Sequence, residues 1–448
     1  MSFPRYPEYR DSGVEWLGEV PGEWNVKRIR FLAELNPSKS EVADMDRGTV
    51  VSFLPMDAIG EDGSLRLDAE KPIGELESGY TYFRNGDVTI AKITPCYENG
   101  KGALMKGLQN GIGFGTTELI VARPKAKEVT GEFLHYLFMS PDFRSLGESH
   151  MYGAGGQKRV PDAFVRDFAT AMPPIPEQIQ IAAFLDRETA KIDALVAEQE
   201  KLIALLKEKR QAVISHAVTK GLDPSVPMKD SGVEWLGEVP AHWGIFPLKR
   251  LCLLLKDGTH LPPPRVAAGV PLLSVRNVRD GEFGFLDDDS MISEESYLDL
   301  SRSFVPRAND VLLAIVGATI GKTALVPEAM GRFHIQRSLA IFRSVDDLLP
   351  EWLYSAFRSI GFQSLLWEYV GYSAQPGIYL GTLAEFRIAV PPKGEQAAIV
   401  ESVRGASFKL ERLIAEAKRA VGLLSERRTA LISAAVTGKI DVRAAACH

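Results

Sequence analysis

Between Pro173 and Asp223 the chain reads PPIPEQIQIAAFLDRETAKIDALVAEQEKLIALLKEKRQAVISHAVTKGLD, and its apolar residues recur every seven positions. Leu185, Ile192, Gln199, Leu206 and Val213 share one face, with Leu195 and Leu202 at the intermediate offset. That is the a/d seam of a coiled coil and calls for a partner helix along its length. Prolines open the stretch, where a fixed φ suits a strand-to-helix junction. From Glu177 to Ala217 neither proline nor glycine interrupts a run of strong helix formers. Forty such residues predict a rod of roughly 60 Å, closed by Gly221.

A second stretch, Pro391 to Asp441, supplies the partner. Glu395-Gln396 repeats Glu177-Gln178, Leu410 repeats Ile192, Leu413 repeats Leu195 and Leu431 repeats Val213. The offset stays at 218 residues with no gap inside the helix, as expected of a ruler whose length matters. Taken alone, the pattern also fits a generic helical hairpin linking two domains.

A shorter repeat sets the rest of the architecture. Asp11 to Pro21, DSGVEWLGEVP, recurs without a change as Asp230 to Pro240, and each copy precedes a tryptophan, Trp24 or Trp243. Between repeat and helix lie two regions that echo each other loosely. Asn85-Gly86-Asp87-Val88 and Asn309-Asp310-Val311 each open a short apolar run, followed by Gly100-Lys101 or Gly321-Lys322. Both regions then carry a strand-like run, an aromatic amphipathic helix and a glycine-rich loop, 153–159 or 371–377. Short β-branched strands mixed with helices predict α/β domains of about 150 residues. The expected fold is thus α/β with two globular domains in a pseudo-two-fold arrangement, separated by a pair of long helices. Boundaries fall at 1–172 for the first repeat segment and domain, 173–223 for the first long helix, 224–390 for the second repeat segment and domain, and 391–442 for the second helix.

Composition narrows the class. A hydrophobic share of 45% and a charged share of 25% are those of an ordinary globular protein. No apolar run reaches the roughly 18 residues needed to span a bilayer, and MSFPRYPEYRDSG has no signal-peptide core. The expectation is a cytoplasmic protein without a membrane partner. Cys96, Cys252 and Cys447 are odd in number and far apart, which indicates neither a disulfide framework nor a zinc site. The net charge of −6 argues against coating nucleic acid by bulk charge, but not against local basic loops.

Candidate catalytic motifs fall short one by one. Val316 to Thr323, VGATIGKT, has three residues between its glycines where a phosphate-binding loop needs four, and Pro327 blocks the helix that should follow. Met172-Pro173-Pro174-Ile175 and Val390-Pro391-Pro392-Lys393 lack the polar and aromatic residues of an amino-methyltransferase motif. The glycines of 111–115 have the wrong spacing for a dinucleotide, and the histidines show no metal-ligand spacing. No catalytic or metal-binding residue is expected, and no cofactor.

Recognition remains. Lys92, Tyr97, Lys101, Gln157, Lys158 and Arg159 cluster in predicted loops of the first domain; His260, Arg276, Asn277, Lys322, Gln336, Arg337 and Gln375 do so in the second. Arg and Lys read guanine edges, Asn and Gln read adenine edges, and both kinds hold phosphates. The competing reading of each is a solvated surface charge; for Arg159 it is an ion pair with Asp162 that merely stiffens the loop.

Taken together, the paired SGVEWLGEVP segments, the two Pro-Pro…Glu-Gln helix starts and the two helix ends AVTKGLD and AVTGKID resemble the DNA-specificity subunit of type I restriction–modification systems. The resemblance covers essentially the whole chain; Gly394 stands where Pro176 would repeat. It implies two target-recognition domains that each read half of a bipartite asymmetric site in double-stranded DNA. It implies that the long helices form an antiparallel coiled coil, setting the spacing and docking two methyltransferase subunits. Those partners would bind S-adenosylmethionine and methylate adenine at N6, and motor–nuclease subunits can join them. The chain itself would be non-catalytic. The alternatives are a coiled-coil scaffold without DNA readout, and a single-chain methyltransferase or nuclease.

Overall fold

The repeated eleven residues build the same hairpin twice. In the computed structural model, which describes residues 3–154, 156–279, 281–371 and 376–443, Tyr9–Asp11 pairs antiparallel with Glu19–Pro21, and Met228–Asp230 with Glu238–Pro240. Asp11 and Asp230 each accept the amide two residues on, at 3.0 and 2.9 Å. Gly18 and Gly237 return the chain at φ 63° and 56°, a region glycine enters without a Cβ clash. Trp24 and Trp243, which follow the hairpins, are buried.

Contacts divide the chain into two units: 1–199 with 419–448, and 200–418. In the first, β1 (Val88–Ala91), β2 (Gly102–Leu104) and β3 (Leu119–Pro124) form an antiparallel sheet with Ala33–Leu35. Val88 faces Ala122 and Ile90 faces Ile120. A second sheet pairs Val50–Leu54 in parallel with Ile112–Gly115, and Thr81–Arg84 antiparallel to the latter. The helices α1 (Gly131–Met139) and α2 (Pro141–Ser149) follow, capped by the side chains of Thr130 and Ser140. Phe133, Leu134 and Leu137 of α1 share a core with Val88, Ile90 and Ile120.

The long helix α3 runs from Ile175 to Lys220 and leaves the first unit at Gln199. The second unit then repeats the plan. Its β4 (Val311–Ala314), β5 (Thr323–Leu325) and β6 (Leu339–Ser344) pair in the order of their counterparts, with Cys252–Asp257 at the edge. Val270–Leu273 pairs in parallel with His334–Ile335. The helices α4 (Pro350–Phe357) and α5 (Ile360–Glu368) precede the second long helix, α6 (Lys393–Val436). Its start at Lys393 matches Ile175 at the 218-residue offset, so Gly394 in place of a second proline leaves the helix entry where it was.

One buried ion pair fixes the start of the central strand in each unit. Asp87 lies just before β1 and Arg123 on β3, and they meet in a two-pronged pair at 2.8 Å; Asp310 and Arg343 repeat it at 2.8 Å. Both aspartates are 1% exposed, and each also accepts a backbone amide, from Arg84 or Arg307. The Asn-Asp-Val echo in the sequence is therefore the footprint of a structural pair.

The long helices pair within each unit along a seam that differs from the sequence reading by one residue. Leu185 and Ile192 are buried as expected, but Leu195 and Leu202 are 44% and 42% exposed, as is Leu413 at 47%. The chain turns Val196 and Ile203 inward instead, both half-buried, and Ile414 is buried in the second helix. Spacings of three-then-four and four-then-three share the same seven-residue period, so the period alone does not choose between them. In the first unit Ile181 and Leu185 pack with Leu431, Ile432 and Val436; in the second Ile214 and Val218 pack with Ile399 and Val403. Each such side chain, fully buried, contributes about 1.5–3 kcal/mol.

Hairpin and helix start are tied by one carboxylate per unit. Trp24 donates its indole N–H to Glu177 at 3.3 Å, and Trp243 to Glu395 at 3.1 Å. This explains why the tryptophan follows the repeat and why Glu-Gln opens both helices. The neighbouring glutamine acts on the shorter helices instead. Gln178 accepts the Thr130 amide, and Gln396 the Leu349 amide, both at 2.9 Å, so each long helix anchors the start of a shorter one.

Candidate nucleic-acid interface

The basic loop of the first unit is stitched to the end of β1. Arg159 forms isolated bridges with Ile93 and with Tyr152. Lys92 accepts the Val160 amide at 2.8 Å through its carbonyl and donates its own amide to Glu118. Thr94 receives the Lys158 amide at 3.1 Å. This stitching leaves the tip of the loop outside: Gln157 and Lys158 are exposed. The Lys158 ammonium has no hydrogen-bond or ion-pair partner among the described residues, as a cation offered to a ligand should.

Arg159 is engaged. Its guanidinium grips Glu118 with two hydrogen bonds, at 2.9 and 2.8 Å, and this bond holds the Glu118 carboxyl below the usual carboxylate range. The stiffening partner is thus Glu118 rather than Asp162, which accepts from Asn36. Lys101 is also turned inward, donating to the Met56 carbonyl at 3.1 Å.

Two aromatic or amide candidates prove to be scaffold. Tyr97 is 3% exposed, donates its hydroxyl to the Phe143 carbonyl at 3.0 Å and packs on the Phe143 ring; burial drives its pKa up. Asn277 is also 3% exposed and spends its amide on Gly284, Asp289 and the Ser274 amide. Neither is on display to a duplex, which corrects the expectation that both line a contact surface.

In the second unit the equivalent loop is bridged in the same way, Gly377 to Val316 and to Gly371. Gln375 lies outside the described residues. A cleft of about 560 Å³ beside this loop brings His260, Arg337 and Tyr379 together. His260 is exposed and bonded to Asp257 at 2.6 Å, and Tyr379 is 85% exposed. Gln336 donates to the Leu272 carbonyl, and Arg276 is held by Asp288. Lys322 is exposed, beside a separate cleft of about 730 Å³. The near-miss phosphate loop around it is a turn leading into β5, with no helix to present amides to a phosphate.

The comparisons with known proteins agree with one another. No protein-family model matches the chain. It is 42% identical over 189 residues to the Escherichia coli EcoAI type I restriction enzyme specificity subunit, covering 42% of this chain and 31% of that protein. A stretch of 200 residues is 40% identical to the EcoEI specificity subunit, 44% of this chain and 33% of the relative. A putative type I specificity subunit, MjaX, from Methanocaldococcus jannaschii is 22% identical over 441 residues, covering 95% of this chain and 96% of that one. Over these stretches the chain is similar to type I restriction enzyme specificity subunits. The matches reach only about a third of the length of the two E. coli relatives. The fold is shared with a solved type I restriction–modification component at a TM-score of 0.67 and 20% identity, over 93% of this chain and 98% of that one. It is shared with the HsdS subunit of Thermoanaerobacter tengcongensis at 0.51 and 19%, over 94% and 98%.

Two residues of the chain escape a reading by sequence. Glu118 looks like an ordinary strand-end carboxylate until the fold sets Arg159 beside it. Arg210 sits at a seam position of α3, where an apolar residue is expected, and lines the larger cleft. Its charge at a core-facing position of the heptad is the signal that could have found it.

Proposed function

We propose that the chain is the DNA-reading subunit of a type I restriction–modification complex, each unit recognising one half of a bipartite asymmetric site in double-stranded DNA. One observation carries the reading. The units share hairpin, sheet, buried ion pair and helix seat, yet the loops they present differ: Gln157 and Lys158 in one, His260, Arg337 and Tyr379 in the other. A common frame with diverged exposed loops suits two readers of different sequences. A scaffold without DNA readout has no need of that divergence.

The long helices would set the spacing between half-sites and dock two methyltransferase subunits, which would carry S-adenosylmethionine and transfer its methyl group to adenine N6. Motor–nuclease subunits would join on top. Docking of two like partners has support in the exposed leucines: Leu195 with Leu413, and Leu205 with Leu423, occupy the same positions at the 218-residue offset, and all are more than 40% exposed. The chain itself would contribute no catalysis and no cofactor. No helix among the described residues is long and apolar enough to cross a membrane.

The test is a graft. Exchanging residues 26–171 for those of a relative with another specificity, then sequencing methylated adenines in the host genome, should change one half of the modified motif and leave the other. A motif that changes in both halves, or methylation that persists without this gene, would sink the reading.

A further inference from the structure

The larger cleft of the second unit, about 730 Å³, brings three cations together from separate elements: Arg210 of α3, Lys322 before β5, and Arg358 after α4. Gln211, Gln363 and Trp367 complete the wall, and among the described residues no carboxylate lines it. The cations are held to different degrees. Arg210 shares its charge with Glu411 at 3.1 Å, leaving its buried Nε without a partner. Arg358 stacks over Tyr354 at 4.8 Å and donates to its hydroxyl at 2.7 Å, so its charge is positioned but not neutralised. Lys322 is exposed, and its ammonium makes no hydrogen bond or ion pair with the described residues. Gln363 fastens the lysine's loop, donating to the Gly321 carbonyl at 2.9 Å.

The first unit shows what this corner looks like when it is used internally. Arg144 stands where Gln363 does and donates to the Gly100 carbonyl at 3.2 Å; a Cβ on Gly100 would collide with its guanidinium. Lys101, the counterpart of Lys322, is tied to a carbonyl. In the second unit Gln363 makes the equivalent bond, while Lys322 is exposed and lines the cleft. Three cations, of which only Arg210 is paired with a carboxylate among the described residues, beside an amide and an indole, fit a phosphodiester.

We propose that this cleft grips the phosphate backbone of duplex DNA, with Lys322, Arg358 and Arg210 supplying the charge and no base being read there. The inference rests on the DNA-reading proposal above. Its test uses the full chain and fluorescent duplexes, one random and one bearing the modified motif, over a range of salt concentrations. Lys322→Ala and Arg358→Gln should weaken binding to both duplexes by the same factor. Each should make the slope of log affinity against log salt shallower by about one. Arg302→Ala, which removes an exposed charge elsewhere in this unit, should leave the slope as it was. Equal slopes in all proteins, or the same loss in Arg302→Ala, would overturn the proposal. So would a cleft that takes free phosphate instead: inorganic pyrophosphate raising the melting temperature of the parent but not of Lys322→Ala, with duplex binding unchanged. A parent chain that binds neither duplex would remove the DNA-reading proposal itself, whereas a binding parent matched by its variants removes this inference alone.

Discussion

Arg428 and Asp193 meet at 3.2 Å between the long helices of the first unit, and Arg210 and Glu411 meet at 3.1 Å in the second. Both partners of one pair stand 218 residues from their counterparts, the offset that separates the helix starts. The two contacts are thus one contact made twice, with the arginine each time at a seam position where an apolar residue would pack. Such a partly exposed pair contributes only about 0.2–1 kcal/mol, while desolvating the guanidinium at the seam works against it. Arg428→Leu should therefore hold or raise the melting temperature although it breaks the ion pair. A loss of more than about 1 kcal/mol in chemical denaturation would show that the pair outweighs the apolar seam.

The buried fork is the opposite case. Asp87 is 1% exposed, and Arg123 beside it is itself buried. Removing the arginine strands a charge that water cannot reach, a loss of about 3–5 kcal/mol. Arg123→Met is expected to cost that much in urea titrations. Pairing it with Asp87→Asn, which keeps an acceptor for the Arg84 amide, should recover part of the loss. Equal stability of the single and double variants would place the cost elsewhere, for instance in the contact from Arg123 to Glu41.

How far fold and site were legible in the sequence follows from what each signal measures. Identity across the hairpins and helix starts reports contacts that must be the same twice, such as Trp24 to Glu177, so the frame could be read directly. The seam phase could not: Leu195 is the more apolar candidate and Val196 the one that packs, because the partner helix decides, not hydrophobicity. The candidate contacts divided on burial. Tyr97 and Asn277 have the composition of a reading surface, yet polar groups on loops are also what a loop uses to hold itself together. Lys158 and Lys322 are exposed, and their ammonium groups have no partner among the described residues.

His135 offers a pH readout. Burial, then the neighbouring Arg144 and Arg428, lower its pKa to about 4. The unfolded chain, with an ordinary imidazole near 6.5, therefore binds more protons than the folded one between those values. Stability should rise with pH across that window, by at most about 3 kcal/mol for this group, and be fully present above it. The equivalent position in the second unit is Tyr354, so His135→Tyr supplies a side chain that this corner of the fold already accepts. Melting curves from about pH 4 to 7 should be flatter for the variant. Parallel curves would assign the acid sensitivity to other groups.

Lys158 and Arg159 are neighbours with different employment, and single substitutions separate them. Arg159→Ala removes the fork on Glu118 and should lower stability at neutral pH modestly, given the partial exposure of the pair. The Glu118 carboxyl is held below its ordinary range by that bond. The stabilisation is present above roughly pH 4.3, the unfolded value, and disappears as falling pH protonates the folded carboxylate. The gap between parent and Arg159→Ala should therefore close in acid. Lys158→Ala breaks no side-chain contact among the described residues and should melt with the parent at every pH. Its effect belongs to DNA: lower affinity, with a salt slope shallower by about one if the ammonium meets a phosphate. If it meets a base edge, the loss should be about 1–3 kcal/mol and confined to one position of the half-site. A Lys158→Ala chain with parental affinity, slope and sequence preference would strike this residue from the reading surface, leaving the loop as a device that only fastens Arg159 to Glu118.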